Sequence, residues 1–174
     1  MQHMTRPDLA LMAVEKYAGV KTIATAFAKF GFTSASFEVQ DDGVFQNILT
    51  GLGFAYGLAL TLRLYKSRGF NFEAPVCSTW IWLNRPGPAF LYHLRLQSET
   101  CIDFSSANTM VARTCIYLYI LSTLGLCWCI EQPASSLLEK HVCFEWLSKQ
   151  CTVYKAFVWM GSYGGGCGLA FIQY

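Results

Sequence analysis

Apolar and polar positions along the chain change their spacing several times, and each change marks a new predicted element. Short segments rich in β-branched and aromatic residues are typical of strands, and they alternate with longer segments whose apolar residues recur at helical spacing. The predicted strands are residues 13–17, 34–39, 70–74, 126–130 and 152–160. The predicted helices are residues 20–29, 44–65, 105–124 and 136–149.

This alternation predicts the fold class. Strands that follow one another through helices form parallel sheets, because a parallel connection needs a crossover segment. We therefore expect an α/β fold with a mainly parallel sheet and helices on both faces. The length of 174 residues suits a single domain. We assign that domain to residues 13–174, after an N-terminal extension over residues 1–12.

Charge is sparse on this chain. Apolar residues make up 53% of the sequence and charged residues 14%, whereas a globular protein usually has about 25% charged residues. A surface so poor in charge predicts a protein partner that docks on apolar side chains. The 13 basic and 11 acidic residues are scattered. Because the basic residues are scattered, they form no basic patch in the sequence that would indicate binding to nucleic acid. Nucleic acid nevertheless stays open as a partner.

The eight cysteines mostly lie within apolar segments, which is typical of reduced, buried thiols rather than of a disulfide framework. The N-terminal segment does not have the shape of a secretory signal. Together these features predict an intracellular protein in a reducing compartment, the nucleus or the cytoplasm. The three histidines keep no ligand spacing with the cysteines, so we predict no metal site.

Two uncharged stretches leave a membrane protein as a less favoured alternative. Residues 44–62 and 114–130 contain no charged side chain, and about 20 apolar residues suffice to span a bilayer. The first stretch contains Gln46 and Asn47, and the second is interrupted by Gly125. A buried helix in the first stretch, and a helix followed by a strand in the second, explain the pattern better than two spanning helices.

Candidate binding residues follow the ends of four predicted strands. In parallel α/β sheets, ligands bind outside the carboxyl ends of the strands, and we expect these ends to share one edge. The residues at or just beyond these ends are Tyr17 and Gly19 for the first strand, Glu38 and Asp41 for the second, Pro75 and Cys77 for the third, and Glu131 for the fourth.

The segments at these strand ends resemble a known family. The stretch YAGVKTIATAFAKFGFTSASFEV looks like the opening of cytosine-5 DNA methyltransferases, in which an aromatic-x-Gly turn and a helix lead to a strand that ends in an acid. APVC at 74–77 is similar to that family's Gly-Pro-Pro-Cys segment, and EQP at 131–133 to its Glu-Asn-Val or Glu-Asn-Pro strand end. CSTWIWLNRPG and IEQPASSL also resemble uncharacterised algal and dinoflagellate proteins that carry Pro-Pro-Cys-Ser-Ser-Trp and Glu-Gln-Pro. The resemblance implies a Rossmann-like methyltransferase domain.

The resemblance also implies S-adenosylmethionine as cofactor, bound against the turn at Gly19. Glu38 would accept hydrogen bonds from the ribose hydroxyls with Asp41 nearby, and Tyr17 and Pro75 match further cofactor-binding positions. The chemistry is suitable, because a glycine lets the backbone approach a ligand and a carboxylate accepts hydroxyl protons. The alternative is that Gly19 only makes a turn and that Glu38 is a solvated strand end.

For chemistry, the resemblance implies that Cys77 is a thiolate that attacks C6 of a flipped cytosine, while Glu131 holds the ring nitrogen and the amine. The alternative for Cys77 is a small buried side chain at a strand end, since cysteine is among the most often buried residue types. The alternative for Glu131 is a carboxylate that caps the following helix.

The chain departs from the family pattern in ways that predict a reduced methyltransferase core. Val76 replaces the second proline, Lys21 stands where the family loop has a small residue, and Gln132 replaces asparagine. Only one helix fits between Glu38 and Phe70, so one strand and one helix of the family core are missing. Two classes of function stay open: a methyltransferase that acts on a nucleobase, and a non-catalytic interaction module of the same fold.

Overall fold

A computed structural model of the chain describes residues 10–76, 104–133, 135–159 and 167–173. The strands are β1 (Ala13–Lys16), β2 (Ser34–Phe37), β3 (Phe70–Glu73), β4 (Cys127–Pro133), β5 (Tyr154–Trp159) and β6 (Cys167–Gln173). The helices are α1 (Thr22–Lys29), α2 (Gly51–Leu62), α3 (Phe104–Thr123) and α4 (Val142–Gln150). A 3-10 turn at Leu138–Lys140 precedes α4.

The strands form one sheet in the order β2-β1-β3-β4-β6-β5. The first four of these strands are mutually parallel, and β6 runs antiparallel to both of its neighbours. The register aligns Lys16 with Phe37 on one side and with Glu73 on the other, and aligns Glu73 with Ile130. The prediction that the carboxyl ends of four strands lie side by side along one edge is therefore confirmed.

Helices cover both faces of this sheet, as predicted. Successive side chains of a strand point to opposite faces. Val14 packs into the core cluster together with residues of α2, α3 and α4, whereas the carboxylate of Glu15 accepts a hydrogen bond of 2.7 Å from the backbone N–H of Ala24 in α1. Thus α1 lies on one face and the other three helices lie on the opposite face. An α/β, Rossmann-like fold with a mainly parallel sheet is confirmed.

The core between the sheet and α3 contains large side chains that are fully enclosed. Trp128 of β4 and Tyr117 of α3 are both 0% exposed, and the indole N–H of Trp128 donates to Ser122 Oγ at 3.0 Å. Truncating a buried tryptophan usually costs about 3–5 kcal/mol. This packing fixes α3 against the strands whose ends carry the candidate site.

The predicted helix over residues 44–65 is wrong in its first part. The backbone makes turns up to Thr50, because the Asp42 carboxylate accepts hydrogen bonds from the N–H groups of Val44 and Phe45 and so closes a local turn. Thr50 then caps the helix, since its Oγ1 accepts from the N–H of Gly53 at 2.9 Å. The helix itself is Gly51–Leu62.

Two strands also differ from the sequence prediction. The last strand, β6, was not predicted, because its glycine-containing sequence follows a run of glycines that is typical of a loop. The strand β4 extends to Pro133, so Glu131 and Gln132 lie within the strand and not in a loop after it. Their backbone groups continue the ladder, because Glu131 pairs with Ala170 and Gln132 with Leu169 of β6.

Two further predictions concern the start of the domain and the alternative of a membrane protein. The division into an extension over residues 1–12 and one domain stays a prediction, and Leu11 is already buried and bridges to Leu64. Within the described ranges, no helix combines the length and the apolar character that crossing a membrane requires.

Candidate functional site

The turn after β1 has an unusual backbone. Tyr17, Gly19 and Lys21 have φ values of 56°, 47° and 59°, a left-handed conformation that costs energy for the two residues that are not glycine. A Cβ placed on Gly19 would meet no atom within 4 Å. The outer side of this turn is therefore open, and the exposed backbone of Gly19 leaves room for an approaching ligand.

Glu38 and Gly19 are in direct contact at the carboxyl edge of the sheet. The backbone N–H of Gly19 donates to Glu38 Oε2 at 2.8 Å, and the N–H of Gln40 donates to Oε1 at 3.2 Å. A carboxylate offers about four acceptor positions. The side chain of Glu38 thus joins the ends of β1 and β2 and keeps acceptor capacity for further hydroxyl donors.

The segment after Glu38 is held in place by two polar side chains. Gln46 Oε1 accepts from the backbone N–H of Glu38 at 2.8 Å. The guanidinium of Arg113 in α3 donates to the carbonyls of Ile48 and Thr50, the latter at 2.8 Å. The loop that follows β2 is therefore anchored to α3 and shapes one side of the Gly19–Glu38 region.

Asp41 lies near this region and is paired with Lys21. The Lys21 ammonium lies 2.6 Å from the Asp41 carboxylate, and the two side chains are 39% and 33% exposed. The pair links the turn after β1 to the loop after β2. Asp41 therefore acts here as the partner of a lysine, at the border of the open side of the turn.

Tyr17 has a structural contact on the other side of the turn. Its hydroxyl is hydrogen-bonded to Thr114 Oγ1 of α3 at 2.7 Å. Burial raises the pKa of Tyr17 well above its ordinary value, and the nearby Glu73 adds to this effect. The phenol is therefore neutral, and its bond to α3 fixes the start of the turn.

The ends of β3 and β4 are tied together through Gln132. Its side-chain amide donates to the carbonyl of Pro75 at 2.7 Å, and its Oε1 accepts from Ser136 Oγ at 3.0 Å. Both Gln132 and Pro75 are buried. Gln132 therefore connects two neighbouring strand ends, because its side chain reaches from β4 to the carbonyl of Pro75 after β3.

Glu131 stands at the same edge, with its side chain on the opposite face of β4 from Gln132. It is partly buried, and burial raises its pKa above the ordinary value. Burial also raises the pKa of Cys129, two residues earlier on the same face, to about 11, with Cys127 and Glu131 adding to the shift. Cys77 lies outside the described residues, so its proximity to Glu131 stays a prediction.

Sequence reasoning missed a buried polar cluster directly beside these strand ends. Lys16, Asn71 and Glu73 are each 0% exposed. The Lys16 ammonium donates to Glu73 Oε1 at 2.8 Å and to Asn71 Oδ1 at 2.9 Å, while Asn71 Nδ2 donates to Glu73 Oε1 at 2.9 Å. The ammonium also lies 4.4 Å from the centre of the Tyr117 ring. The alternation of Asn71 and Glu73 with phenylalanines marks one polar face of the predicted strand, but it does not indicate that this face is buried.

No protein-family model matches the chain, and no curated protein matches it. Within the part of the chain that the structure describes, no three His, Cys, Asp or Glu side chains form a group that could hold a metal ion. The fold, the geometry of the carboxyl edge and the sequence motifs are therefore the features that bear on function.

Proposed function

We propose that this chain is a reduced methyltransferase-like domain that binds S-adenosylmethionine at the carboxyl edge of its sheet, against the turn at Gly19. The observation that carries the proposal is the hydrogen bond of 2.8 Å between the Gly19 N–H and Glu38 Oε2. This bond joins a glycine turn after β1 to an acidic strand end after β2. The same two features carry the sequence resemblance to cytosine-5 DNA methyltransferases.

The position of these residues in the topology supports the proposal. From β1 the chain passes to β2 on one side, and from β2 it crosses to β3 on the other side of β1. In open α/β sheets, ligands bind in the crevice at such a reversal of strand order. The turn at Gly19 and the segment at Pro75 follow the two strands that flank this reversal.

The described residues fit a nucleoside cofactor in a limited set of roles. Glu38 would accept hydrogen bonds from the ribose hydroxyls, because its carboxylate has acceptor capacity left after its two backbone bonds. The open side of Gly19 would receive the cofactor without a clash from a side chain. Tyr17 and Asp41 would act indirectly, through their bonds to Thr114 and Lys21. When bound, S-adenosylmethionine supplies an electrophilic methyl group.

Isothermal titration of S-adenosylmethionine into the purified chain tests the proposal. We expect saturable binding to the wild-type chain and affinity at least about tenfold lower for Glu38→Gln, which loses the charge that hydroxyl donors favour. Glu145→Gln is the matched control, because Glu145 is an exposed residue of α4. Absence of binding to the wild-type chain would contradict the proposal, as would equal affinity for both glutamine variants.

Transfer of a methyl group to a cytosine base is the catalytic form of this proposal. The partly buried Glu131 supports it, since a carboxyl group with a raised pKa at a strand end is suited to hydrogen-bond a base. A methyl-transfer assay on DNA and RNA tests it, with Glu131→Gln and Cys77→Ser as variants. Activity that survives Cys77→Ser would exclude covalent attack by that thiol.

A second candidate function is a non-catalytic interaction module. Apolar side chains are exposed on the outer faces of α3 and α4, where Tyr119 and Trp146 lie 5.0 Å apart between ring centres and Val142 is 72% exposed. Exposed aromatic and aliphatic groups in one area favour a protein partner. Trp146→Ser would then abolish a partner complex and leave the affinity for S-adenosylmethionine unchanged.

We propose an intracellular location in a reducing compartment, with nucleic acid as a partner of the catalytic form. Reduced cysteines at positions 115, 129, 143 and 151 support this location. Labelling with a thiol reagent after denaturation tests it, because every described cysteine should be recovered as a thiol from the native source.

A further inference from the structure

The polar cluster of Lys16, Asn71 and Glu73 lies at the reversal of strand order. Lys16 is the last residue of β1 and immediately precedes the turn that starts at Tyr17. Glu73 is the last residue of β3 and precedes Ala74 and Pro75. The cluster therefore joins the ends of β1 and β3. The segments that follow these two strands form the two sides of the proposed cofactor site.

Stability alone does not explain this cluster. Both charged side chains are 0% exposed, and replacement of a buried ion pair by apolar residues of similar volume is often neutral or stabilising. Glu73 Oε2 is buried and has no hydrogen-bond partner among the described residues, and an unsatisfied buried acceptor is destabilising. Such costs are typical of polar groups that are retained for a function.

We propose that Lys16, Asn71 and Glu73 form a positioning cluster that sets the relative placement of the two strand ends at the cofactor site. The inference rests on the proposed function of this site. Three directional hydrogen bonds, of 2.8 to 2.9 Å, connect the side chains. The backbone adds a fourth link, because the N–H of Ala74 donates to the carbonyl of Lys16 at 3.2 Å.

The cluster acts through the segments that follow it. Lys16 adjoins Tyr17, whose φ is 56°. A rotation of the Lys16 backbone is therefore transmitted directly to the left-handed turn that contains Gly19. Glu73 is two residues from Pro75, whose carbonyl is held by Gln132. Apolar side chains in place of Lys16 and Glu73 would fill the same space. They would lack the directional hydrogen bonds that fix the distance between the segment after β1 and the segment after β3.

Two double variants separate positioning from packing. In Lys16→Met with Glu73→Leu, apolar groups of similar size replace the pair. In Lys16→Gln with Glu73→Gln, the charges are removed while a side-chain hydrogen bond is retained. The affinity for S-adenosylmethionine is measured by calorimetry, and the stability of each chain by its urea unfolding midpoint. Lys155→Met with Glu139→Leu is the control, because that ion pair is exposed and belongs to β5 and the 3-10 turn.

We expect the Met/Leu variant to unfold at or above the wild-type midpoint and to bind more than about tenfold more weakly, whereas the Gln/Gln variant stays within about threefold of wild type. If the Met/Leu chain does not fold, Asn71→Leu replaces it, with the same expected direction. Wild-type affinity in the folded Met/Leu or Asn71→Leu chain would overturn this inference alone. Absence of binding to the wild-type chain would overturn the proposed function and this inference together.

Discussion

Two lysine–carboxylate pairs lie at the same edge of the sheet and have the same chemistry, yet they occupy opposite environments. The distance between charged atoms is 2.8 Å in Lys16–Glu73 and 2.6 Å in Lys21–Asp41. The first pair is 0% exposed on both sides, whereas the side chains of the second are 39% and 33% exposed. Removal of one charge from the shorter, exposed pair is therefore expected to cost less than removal of one charge from the buried pair, because solvent screens the charge that remains. Burial, and not the distance, ranks the two contacts.

The largest expected effect comes from breaking the buried pair on one side only. Lys16→Met leaves the Glu73 carboxylate buried without a counter-charge, and such a loss usually costs about 3–5 kcal/mol of unfolding free energy. Urea unfolding of the two chains measures this difference. Lys21→Met is the matched control from the exposed pair, with an expected loss below about 1 kcal/mol. Equal losses in the two variants would mean that burial does not separate the pairs.

The second effect concerns the aromatic ring that lies under the Lys16 ammonium. A Cβ added at Gly57 would lie 2.5 Å from Tyr117 Oη, so Gly57→Ala forces this ring to move in a packed core. Overpacking of this kind typically costs about 1–3 kcal/mol. Gly51→Ala is the control, because a Cβ at Gly51 meets no atom within 4 Å. Thermal unfolding should show a loss at Gly57 and none at Gly51.

A smaller effect is expected when the exposed pair is broken. Asp41→Asn should lower the unfolding free energy by less than about 1 kcal/mol at low salt. The difference should vanish near 1 M salt, where the screening length falls to about 3 Å. Unfolding series at both ionic strengths provide the comparison. A loss that is independent of salt would show that Asp41 contributes through something other than its charge.

The smallest effect is a pH dependence at Glu131. Burial raises the folded-state pKa of this carboxyl above 4.5, so the folded chain binds its proton more tightly than the unfolded chain does. Protonation of Glu131 therefore stabilises the folded chain at pH values below 4.5, and this contribution is lost as the pH rises through the folded-state pKa. Glu131→Gln stays neutral and should therefore be more stable than wild type near neutral pH, with no advantage in acid. An advantage that grows in acid would contradict the sign of this shift.

The alignment of the strand ends could be predicted from the sequence because the alternation of strand and helix patterns restricts the topology. Once β1, β2, β3 and β4 were expected to be parallel, their carboxyl ends had to share one edge. The contact between Gly19 and Glu38 follows from this geometry. The loop before α2 was harder to predict, because its turns depend on side-chain bonds from Asp42 and Asn47 that compete with helix formation.

The buried cluster could not be predicted, because it depends on the register between β1 and β3. Lys16 and Glu73 are distant in sequence, and a shift of one residue would place the two side chains on opposite faces of the sheet. The pattern at Asn71 and Glu73 alone suggests a solvent-facing side of a strand. In the fold, that side is covered by α3, and the charge at Lys16 compensates for the burial of the carboxylate.

Hydrogen exchange of the full chain with and without S-adenosylmethionine is the decisive experiment for the cofactor site, because it detects binding and also locates it. We expect slower amide exchange in the turn at residues 17–21 and in the segment from Glu38 to Gln46, whose backbone the cofactor would cover. Helix α4 is the internal reference and should exchange at the same rate in both states. Unchanged exchange throughout at saturating cofactor, or protection confined to α4, would contradict a cofactor site at the Gly19–Glu38 edge.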